Sequence, residues 1–170
     1  MPASRREVTL RFLAEPTDVN FGGKMFGGAV MKWVDLAGFA CASGWSGSYC
    51  VTAYVDGIGF ERPISIGSLV EVRARVVLTG SSSMHIAVDV YSRSPREMEW
   101  ARTTQCLTVF VAVDETGKPH PVPAWAPETD EDRLLADYAE DMKAQSKEME
   151  ARRARWLAPP GTDDNDPSSR

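Results

Sequence analysis

The sequence predicts an α+β fold in which an antiparallel sheet of about five to six strands wraps around one long central helix. Three observations lead to this prediction. Residues 29–41 form a long, apolar, proline-free run of helical type, and four strand-like segments follow it. Short turns separate those segments, so consecutive strands should pair as antiparallel neighbours.

The predicted elements follow one another along the chain. A strand at residues 7–13 leads into a glycine-rich loop at 15–28 and then into the helix. The four later strands cover residues 49–62, 68–79, 83–93 and 99–113. In the last three of them, apolar residues at alternate positions indicate one apolar face per strand: Val70, Val72, Ala74, Val76, Met84, Ile86, Val88, Val90, Leu107, Val109, Val111 and Val113.

A second, highly charged helix is predicted at residues 129–156, after four prolines between 119 and 127. Its apolar seam is too narrow for a core of its own, so it either docks on the body or a neighbouring subunit, or stays solvated and partly frayed. The predicted organisation is a main domain at 1–127, the charged helix at 128–157 and a disordered tail at 158–170.

Composition excludes several classes of function. A net charge of −5 argues against a general affinity for nucleic acid. The sequence shows neither a signal peptide nor a membrane-spanning run, which predicts a cytoplasmic protein without membrane association. The three cysteines suit buried hydrophobic positions in a reducing compartment, and the two histidines belong to no cluster with metal-ligand spacing. Neither a metal nor a cofactor is therefore expected.

The central helix is apolar on nearly every face, which indicates that it is surrounded rather than packed on one side. Only Lys32 and Asp35 carry charge within it. A carboxylate in such surroundings is costly without partners. Asp35 is either paired with Lys32 at the edge of the helix, or it lies in a ligand slot where it performs acid–base or nucleophilic work.

The loop before the helix contains further candidate site residues. Gly27 and Gly28 leave backbone N–H groups uncovered at the start of the helix, where they can stabilise a developing oxyanion. The alternative is that the glycines allow tight packing of the loop against the sheet. Asn20 is either a turn former or a side chain that positions a water or a carbonyl.

The combination of motifs resembles the signature of the hotdog-fold acyl-CoA thioesterases, and the cytosolic acyl-CoA hydrolase branch in particular. The resemblance covers roughly residues 7–123. It rests on these segments: Pro16-Thr17-Asp18-Val19-Asn20, Gly23, Phe26-Gly27-Gly28, Met31, Asp35, Cys50-Val51-Thr52-Ala53, Phe60-Glu61-Arg62-Pro63-Ile64, Gly67, Gly80-Ser81-Ser82-Ser83 and Phe110-Val111-Ala112-Val113-Asp114. Phe21 is bulky where the family motif has a small residue, which affects the expected shape of the entrance.

The resemblance implies a fold, a site and an assembly. It implies the hotdog fold, with Asp35 catalytic, Asn20 cooperating with it across a dimer, and the Gly28 N–H polarising the thioester carbonyl. The residues that it assigns to substrate binding are Gly27, Thr52, Arg62 before the Pro-Ile motif, and the turn formed by Gly80, Ser81, Ser82 and Ser83. It also implies a homodimer, with three dimers joined as a hexamer.

The function predicted from these residues is hydrolysis of an acyl-CoA thioester to the free acid and coenzyme A. Asp35 acts either as general base on water or as nucleophile, and coenzyme A belongs to the substrate and product rather than being a cofactor. The rival hypotheses are a non-catalytic acyl-CoA-binding or sensing module, and a hotdog hydratase or dehydratase. A serine hydrolase is disfavoured because the sequence has no G-x-S-x-G motif.

Overall fold

The computed structural model describes residues 6–157 and confirms an antiparallel sheet packed on one long helix. The described chain contains five strands: β1 (Glu7–Leu13), β2 (Tyr49–Phe60), β3 (Leu69–Thr79), β4 (Ser83–Arg93) and β5 (Ala101–Val113). Helix α1 (Gly27–Ser46) lies between β1 and β2 in sequence, and helix α2 (Asp130–Leu157) follows β5. The strand order is β1-β3-β4-β5-β2, so the end strands β1 and β2 flank three strands that pair as consecutive neighbours.

Helix α1 is longer at both ends than the predicted 29–41. It begins at Gly27, so the glycine pair forms its first turn instead of preceding it. It ends where Gly47 adopts a left-handed conformation, with φ 68°, and donates its N–H to the Ser43 carbonyl at 2.9 Å. Near the middle of the helix, Gly38 leaves no space for a side chain, because an added Cβ would lie 2.6 Å from the Phe110 ring.

The apolar faces predicted for β3 and β4 are buried against α1, as their alternation indicated. Strand β5 is different. Phe110 pairs with Met84 and Cys106 with Val88, so the even-numbered residues of β5 face α1. Leu107 and the alternate residues Val109, Val111 and Val113 instead lie on the outer face, where Leu107 is buried under α2. Both faces of β5 are apolar because both are at least partly covered, and alternation alone cannot identify the inner one.

The expectation that α1 is surrounded is wrong for the single chain. The sheet covers one side of the helix and buries Trp33, Val34 and other residues of that side. On the opposite side Met31, Leu36 and Phe39 remain 45%, 43% and 37% exposed. One five-stranded sheet can enclose only one side of a helix, so this apolar face has no cover from residues 6–157.

Helix α2 docks on the outer face of the sheet of its own chain. Leu135, Ala139 and Met142 pack on Val77 and Leu107 in a small second core. Beyond this contact the helix becomes exposed and ends with Trp156 and Leu157 largely in solvent. The predicted tail at 158–170 lies outside the described residues. No helix within residues 6–157 is long and apolar enough to cross a membrane.

The start of α2 is fixed by one buried acid. Asp132 is hydrogen bonded by the Arg6 guanidinium and accepts the N–H groups of Glu128 at 3.1 Å and Thr129 at 3.2 Å. The Arg6 hydrogen bond, against the opposing effect of burial and with help from the backbone donors, holds the pKa of Asp132 well below its usual range. The carboxylate therefore stabilises the fold above the unfolded-state pKa of about 3.9, and this stability is lost as pH falls below it.

Replacing Asp132 by asparagine should lower the stability at pH 7 by about 3 kcal/mol, because the buried ion pair between Arg6 and Asp132 is lost. The wild-type melting temperature should also fall as pH drops below about 5, and the variant should show a smaller fall. Thermal melts between pH 3 and pH 7 measure both effects. Asp137→Asn, on an exposed position of α2, is the matched control, and an equal effect of the two substitutions would contradict the assigned role.

Candidate active site

Asp35 lies on the exposed side of α1 and has one specific partner. The Thr52 hydroxyl of β2 donates to the Asp35 Oδ1 at 2.6 Å. Among the ion pairs of residues 6–157 there is none between Lys32 and Asp35, so the purely structural alternative is not formed. The hydrogen bond fixes the orientation of the carboxylate and leaves its second oxygen available.

Thr52 reaches Asp35 because it lies on the face of β2 that packs on α1. It follows the buried Cys50 by two residues and pairs with Phe110 of β5, whose side chain faces α1. The register then shifts between Thr52 and Tyr54, and Tyr54 pairs with Val109 on the outer face. The bulge therefore leaves Thr52 on the helix side and moves the residues after it out of the simple alternation.

The first turn of α1 offers free backbone donors. Neither Gly27 N–H nor Gly28 N–H has an acceptor among residues 6–157, and the residue before them, Phe26, provides no side-chain cap. Two aromatic rings border these donors. An added Cβ on Gly28 would lie 2.3 Å from the Phe26 ring, and one on Gly27 would lie 3.7 Å from Phe60. Both alternatives raised by the sequence therefore apply: the glycines allow close packing against aromatic rings, and they leave backbone N–H groups free.

Asn20 organises its own loop. Its Oδ1 accepts the N–H groups of Gly22 at 2.9 Å and Lys24 at 3.1 Å, and its Nδ2 lies 3.4 Å from the Met25 carbonyl. This is the turn-forming role. Asn20 makes no hydrogen bond to Asp35 of the same chain, so any cooperation between them requires a second subunit.

The helix itself separates the oxyanion donors from the carboxylate. Gly28 and Asp35 lie on the same side of α1, and seven residues of helix place them about 10 Å apart along the axis. A thioester carbonyl group spans little more than 1 Å. A carbonyl that accepts the Gly28 N–H is therefore separated from Asp35 of the same chain by several ångströms.

The residues assigned to coenzyme A lie at two ends of the sheet. Arg62 is exposed just after β2, beside an open cleft of about 840 Å³ that Tyr91 and Trp100 also line. The turn at 80–83 lies at the other end, where Ser83 pairs with Val111. Thr52 is near that turn, and about 20 Å of sheet separate it from Phe60 at the Arg62 end. One chain does not bring these residues together.

The turn between β3 and β4 is held by the backbone. The Gly80 N–H donates to the Ser83 carbonyl at 2.8 Å, and an added Cβ on Gly80 would lie 2.6 Å from the Ser83 Oγ. The Ser81 and Ser82 carbonyls accept N–H groups from the segment after β5 and from its end, each at 2.9 Å. The serine hydroxyls make no hydrogen bond within residues 6–157, so they are available to a ligand.

The remaining nucleophiles and metal ligands are in unsuitable places. Burial raises the pKa of the Cys41 and Cys106 thiols to about 12, which suppresses the thiolate. His85 lies on the outer face of β4, across the sheet from Asp35. Within residues 6–157 no group of three or more His, Cys, Asp or Glu residues is arranged to hold a metal.

Several known proteins are similar to this chain in sequence and in architecture. The model of the thioesterase superfamily matches residues 22–99. The acyl-CoA thioester hydrolase YciA of Salmonella typhimurium is 36% identical over 120 residues, which is 69% of this chain and 90% of the relative. A structure described as an apo hexameric acyl-CoA thioesterase has a TM-score of 0.83 and 34% identity, with 89% of this chain and 97% of that chain covered.

An acyl-CoA hydrolase from Staphylococcus aureus has been solved in complex with butyryl coenzyme A, coenzyme A and coenzyme A disulfide. It has a TM-score of 0.80 and 28% identity, with 90% of this chain and 95% of that chain covered. Alanine variants of that enzyme at an aspartate, an asparagine and a threonine have also been solved. The asparagine precedes that aspartate by 15 residues and the threonine follows it by 17, and the same intervals separate Asn20, Asp35 and Thr52 here.

Three findings lead to one assignment. They are the long strands packed on one central helix, the glycine pair at the start of that helix, and the relatives at more than 30% identity. The chain belongs to the hotdog-fold acyl-CoA thioesterases.

Proposed function

We propose that this thioesterase hydrolyses acyl-CoA at a site in which Asp35 is the catalytic carboxylate. The observation that carries the proposal is the 2.6 Å hydrogen bond from Thr52 to Asp35, because it orients the only acid in α1 on an otherwise apolar face. The spacing shared with the three variant positions of the S. aureus hydrolase supports the same assignment. Asn20 and Gly28 complete the proposed catalytic set.

The proposed chemistry requires a base, a water and an oxyanion donor. Asp35 takes a proton from water, and the water oxygen attacks the carbonyl carbon. The Gly28 N–H stabilises the oxygen as it becomes negative. The C–S bond then breaks, and the coenzyme A thiolate leaves and takes up a proton. In the competing route the Asp35 carboxylate attacks the carbonyl itself, which gives an anhydride that water cleaves.

The site is completed by a second copy of the chain. Because about 10 Å of helix separate Gly28 from Asp35, a thioester that directly contacts both groups is best accommodated between two subunits. The exposed apolar side of α1 and the free edge of β2 supply the surface for such a partner. In an antiparallel arrangement of two α1 helices, the start of one approaches the middle of the other. Relatives described as hexameric support three such dimers.

The proposed subsites for coenzyme A are Arg62, Gly27 and the turn at 80–83. A second subunit also provides a way to bring the two ends of the sheet toward one ligand. Coenzyme A is part of the substrate and product, so no separate cofactor takes part. The three free cysteines agree with a cytoplasmic, reducing location.

The two rival functions have less support. A hydratase or dehydratase would pair a histidine with the carboxylate, but His85 lies under α2 on the other side of the sheet. An acyl-CoA sensor would bind the thioester without cleaving it. The oriented Thr52–Asp35 pair and the free N–H groups at the start of α1 are what hydrolysis needs and what binding alone does not.

Release of free thiol from a panel of acyl-CoA substrates tests the proposal, with Thr52→Val as the informative variant. The wild type should release thiol, and Thr52→Val should lower kcat about tenfold with little change in KM, because loss of one hydrogen bond to a charged group misorients Asp35. Thr52→Ser keeps the hydroxyl and should retain most of the activity. Binding of acyl-CoA by the wild type without thiol release would favour the sensor, and equal kcat for Thr52→Val would remove Thr52 from the proposal.

A further inference from the structure

A cleft lies on the outer face of the sheet, on the opposite side from Asp35. The cleft lies between the second half of α2 and strands β2, β4 and β5. Its volume of about 490 Å³ is within the usual range for small-molecule sites. Tyr54, Leu107, Val109 and Met142 give it an apolar wall. The hydrolysis proposed above uses none of these four residues, although Ser83 of the proposed coenzyme A turn also lines the cleft.

His85 lines this cleft and has no protein partner within residues 6–157. The residue is only 4% exposed, its Nδ1 is fully buried, and no hydrogen bond reaches either ring nitrogen. Nδ1 itself is out of reach of a ligand, whereas Nε2, which also lacks a hydrogen bond, is the ring nitrogen open to a partner in the cleft. Burial, and to a smaller extent the Lys143 charge against that of Glu140, lowers the pKa of His85. At neutral pH the ring is therefore uncharged and has one N–H to donate.

The mouth of the cleft has cations that are not neutralised locally. Lys143 is paired with Glu140 at 3.4 Å, but Lys147 and Arg153 form no ion pair among the described residues. Both lie on the side of α2 that faces the cleft. They are free to meet an anion.

Two acids also line the cleft. Asp56 is engaged, because Ser146 donates a hydrogen bond to its Oδ2 at 2.9 Å. Glu150 lies on α2 between Lys147 and Arg153 in sequence and is exposed. The cleft thus has three cations and two acids, with an apolar wall and an unpaired imidazole further in.

We propose that this cleft binds a small carboxylic acid with an aliphatic chain, its carboxylate held by Lys147, Arg153 and His85 and its chain packed on Leu107 and Val109. A bare inorganic anion would leave the apolar wall unused, and an uncharged chain would leave the cations unused. The free acid released by the proposed hydrolysis has this chemistry. On that basis, which rests on the proposed function, the cleft is a product-binding site on the opposite face of the sheet from Asp35, bordered by Ser83 of the proposed coenzyme A turn.

The two histidines of the sequence make the test direct, because ¹³C-labelled histidine gives only two imidazole signals. Hexanoate should shift the His85 signal in a saturable way and leave that of His120, which is exposed after β5, unchanged. Hexanol and inorganic phosphate, which each lack one half of the proposed ligand, should produce no saturable shift. Phosphate acting as strongly as hexanoate, or hexanol doing so, would overturn the carboxylate assignment.

Substitutions in and near the cleft test which residues bind hexanoate. The double variant Lys147→Gln, Arg153→Gln should weaken hexanoate binding about fivefold or more, while Arg155→Gln, a neighbour on α2 that does not line the cleft, should leave it unchanged. Asp35→Ala should retain the His85 shift, which separates this site from the catalytic one. A missing His85 shift in the wild type, or unchanged affinity in the double variant, would refute the proposal whatever the outcome of the thioesterase assay.

Discussion

Replacing Asp35 by alanine should lower kcat for acyl-CoA hydrolysis about 1000-fold while the protein stays folded and still binds coenzyme A. The magnitude follows from the usual contribution of a positioned general base. The fold should tolerate the change because, within residues 6–157, the only side-chain hydrogen bond that Asp35 accepts comes from Thr52 on an exposed face. Moreover, a carboxylate at an apolar subunit boundary is costly, so its removal should leave the assembly at least as stable.

Asp35→Asn is the matched variant. It retains the shape and can still accept the Thr52 hydroxyl, but it neither accepts a proton nor attacks a carbonyl. The two variants should therefore be about equally slow in thiol release under saturating substrate. Thermal melts and calorimetric titration with coenzyme A check that folding and binding persist. Activity of Asp35→Ala within tenfold of the wild type would end the assignment of Asp35 as the catalytic group.

The parts of the fold that could be predicted are those specified by local patterns. In β3 and β4 one face is apolar and the other polar, so alternation identified the inner residues, such as Val72 and Val88. In β5 both faces are apolar, and the inner residue Phe110 was missed in favour of Leu107. Pairing with Met84 determines that face, and pairing is a non-local property.

The site shows the same division between local and non-local information. Asp35 and the glycine pair stood out because each is unusual within its own segment. The contact between Thr52 and Asp35 depends on which face of β2 packs on α1, and a bulge just after Thr52 breaks the alternation of the strand. Counting alternate residues through β2 gives the wrong face beyond that point. Only the motif resemblance drew attention to Thr52, and it suggested a contact with substrate rather than with Asp35.

Helix α1 is apolar on nearly every face, as the sequence shows, but the sheet of the same chain does not cover all of those faces. The sequence indicates that Leu36 and Phe39 should be buried, but it does not indicate which chain buries them. Within the described chain one side of the helix stays exposed, next to the free edge of β2. The sequence pattern is thus a property of the assembly, which makes the composition of the active site testable by mixing subunits.

Co-expression of two inactive chains, Asp35→Ala and Asn20→Asp, should restore activity. If Asp35 of one subunit works with Asn20 and Gly28 of its partner, each mixed dimer has one site with both mutations and one site with neither. Half of randomly formed dimers are mixed, so the recovered activity should approach about one quarter of the wild-type value. Sites built within one chain would give no recovery, because every chain carries one defect.

The choice of Asn20→Asp protects the loop that the residue organises. A carboxylate oxygen still accepts the N–H groups of Gly22 and Lys24, whereas the donating Nδ2 is lost and a negative charge opposes the oxyanion. The matched control is co-expression of Asp35→Ala with the double variant that carries both substitutions, since no combination of those chains contains an intact site. Recovery in the first mixture but not in the second requires that Asp35 and Asn20 of one active site come from different chains. Absence of recovery in both mixtures, with the proteins folded and assembled, would place the whole site within one subunit and contradict the shared-site proposal.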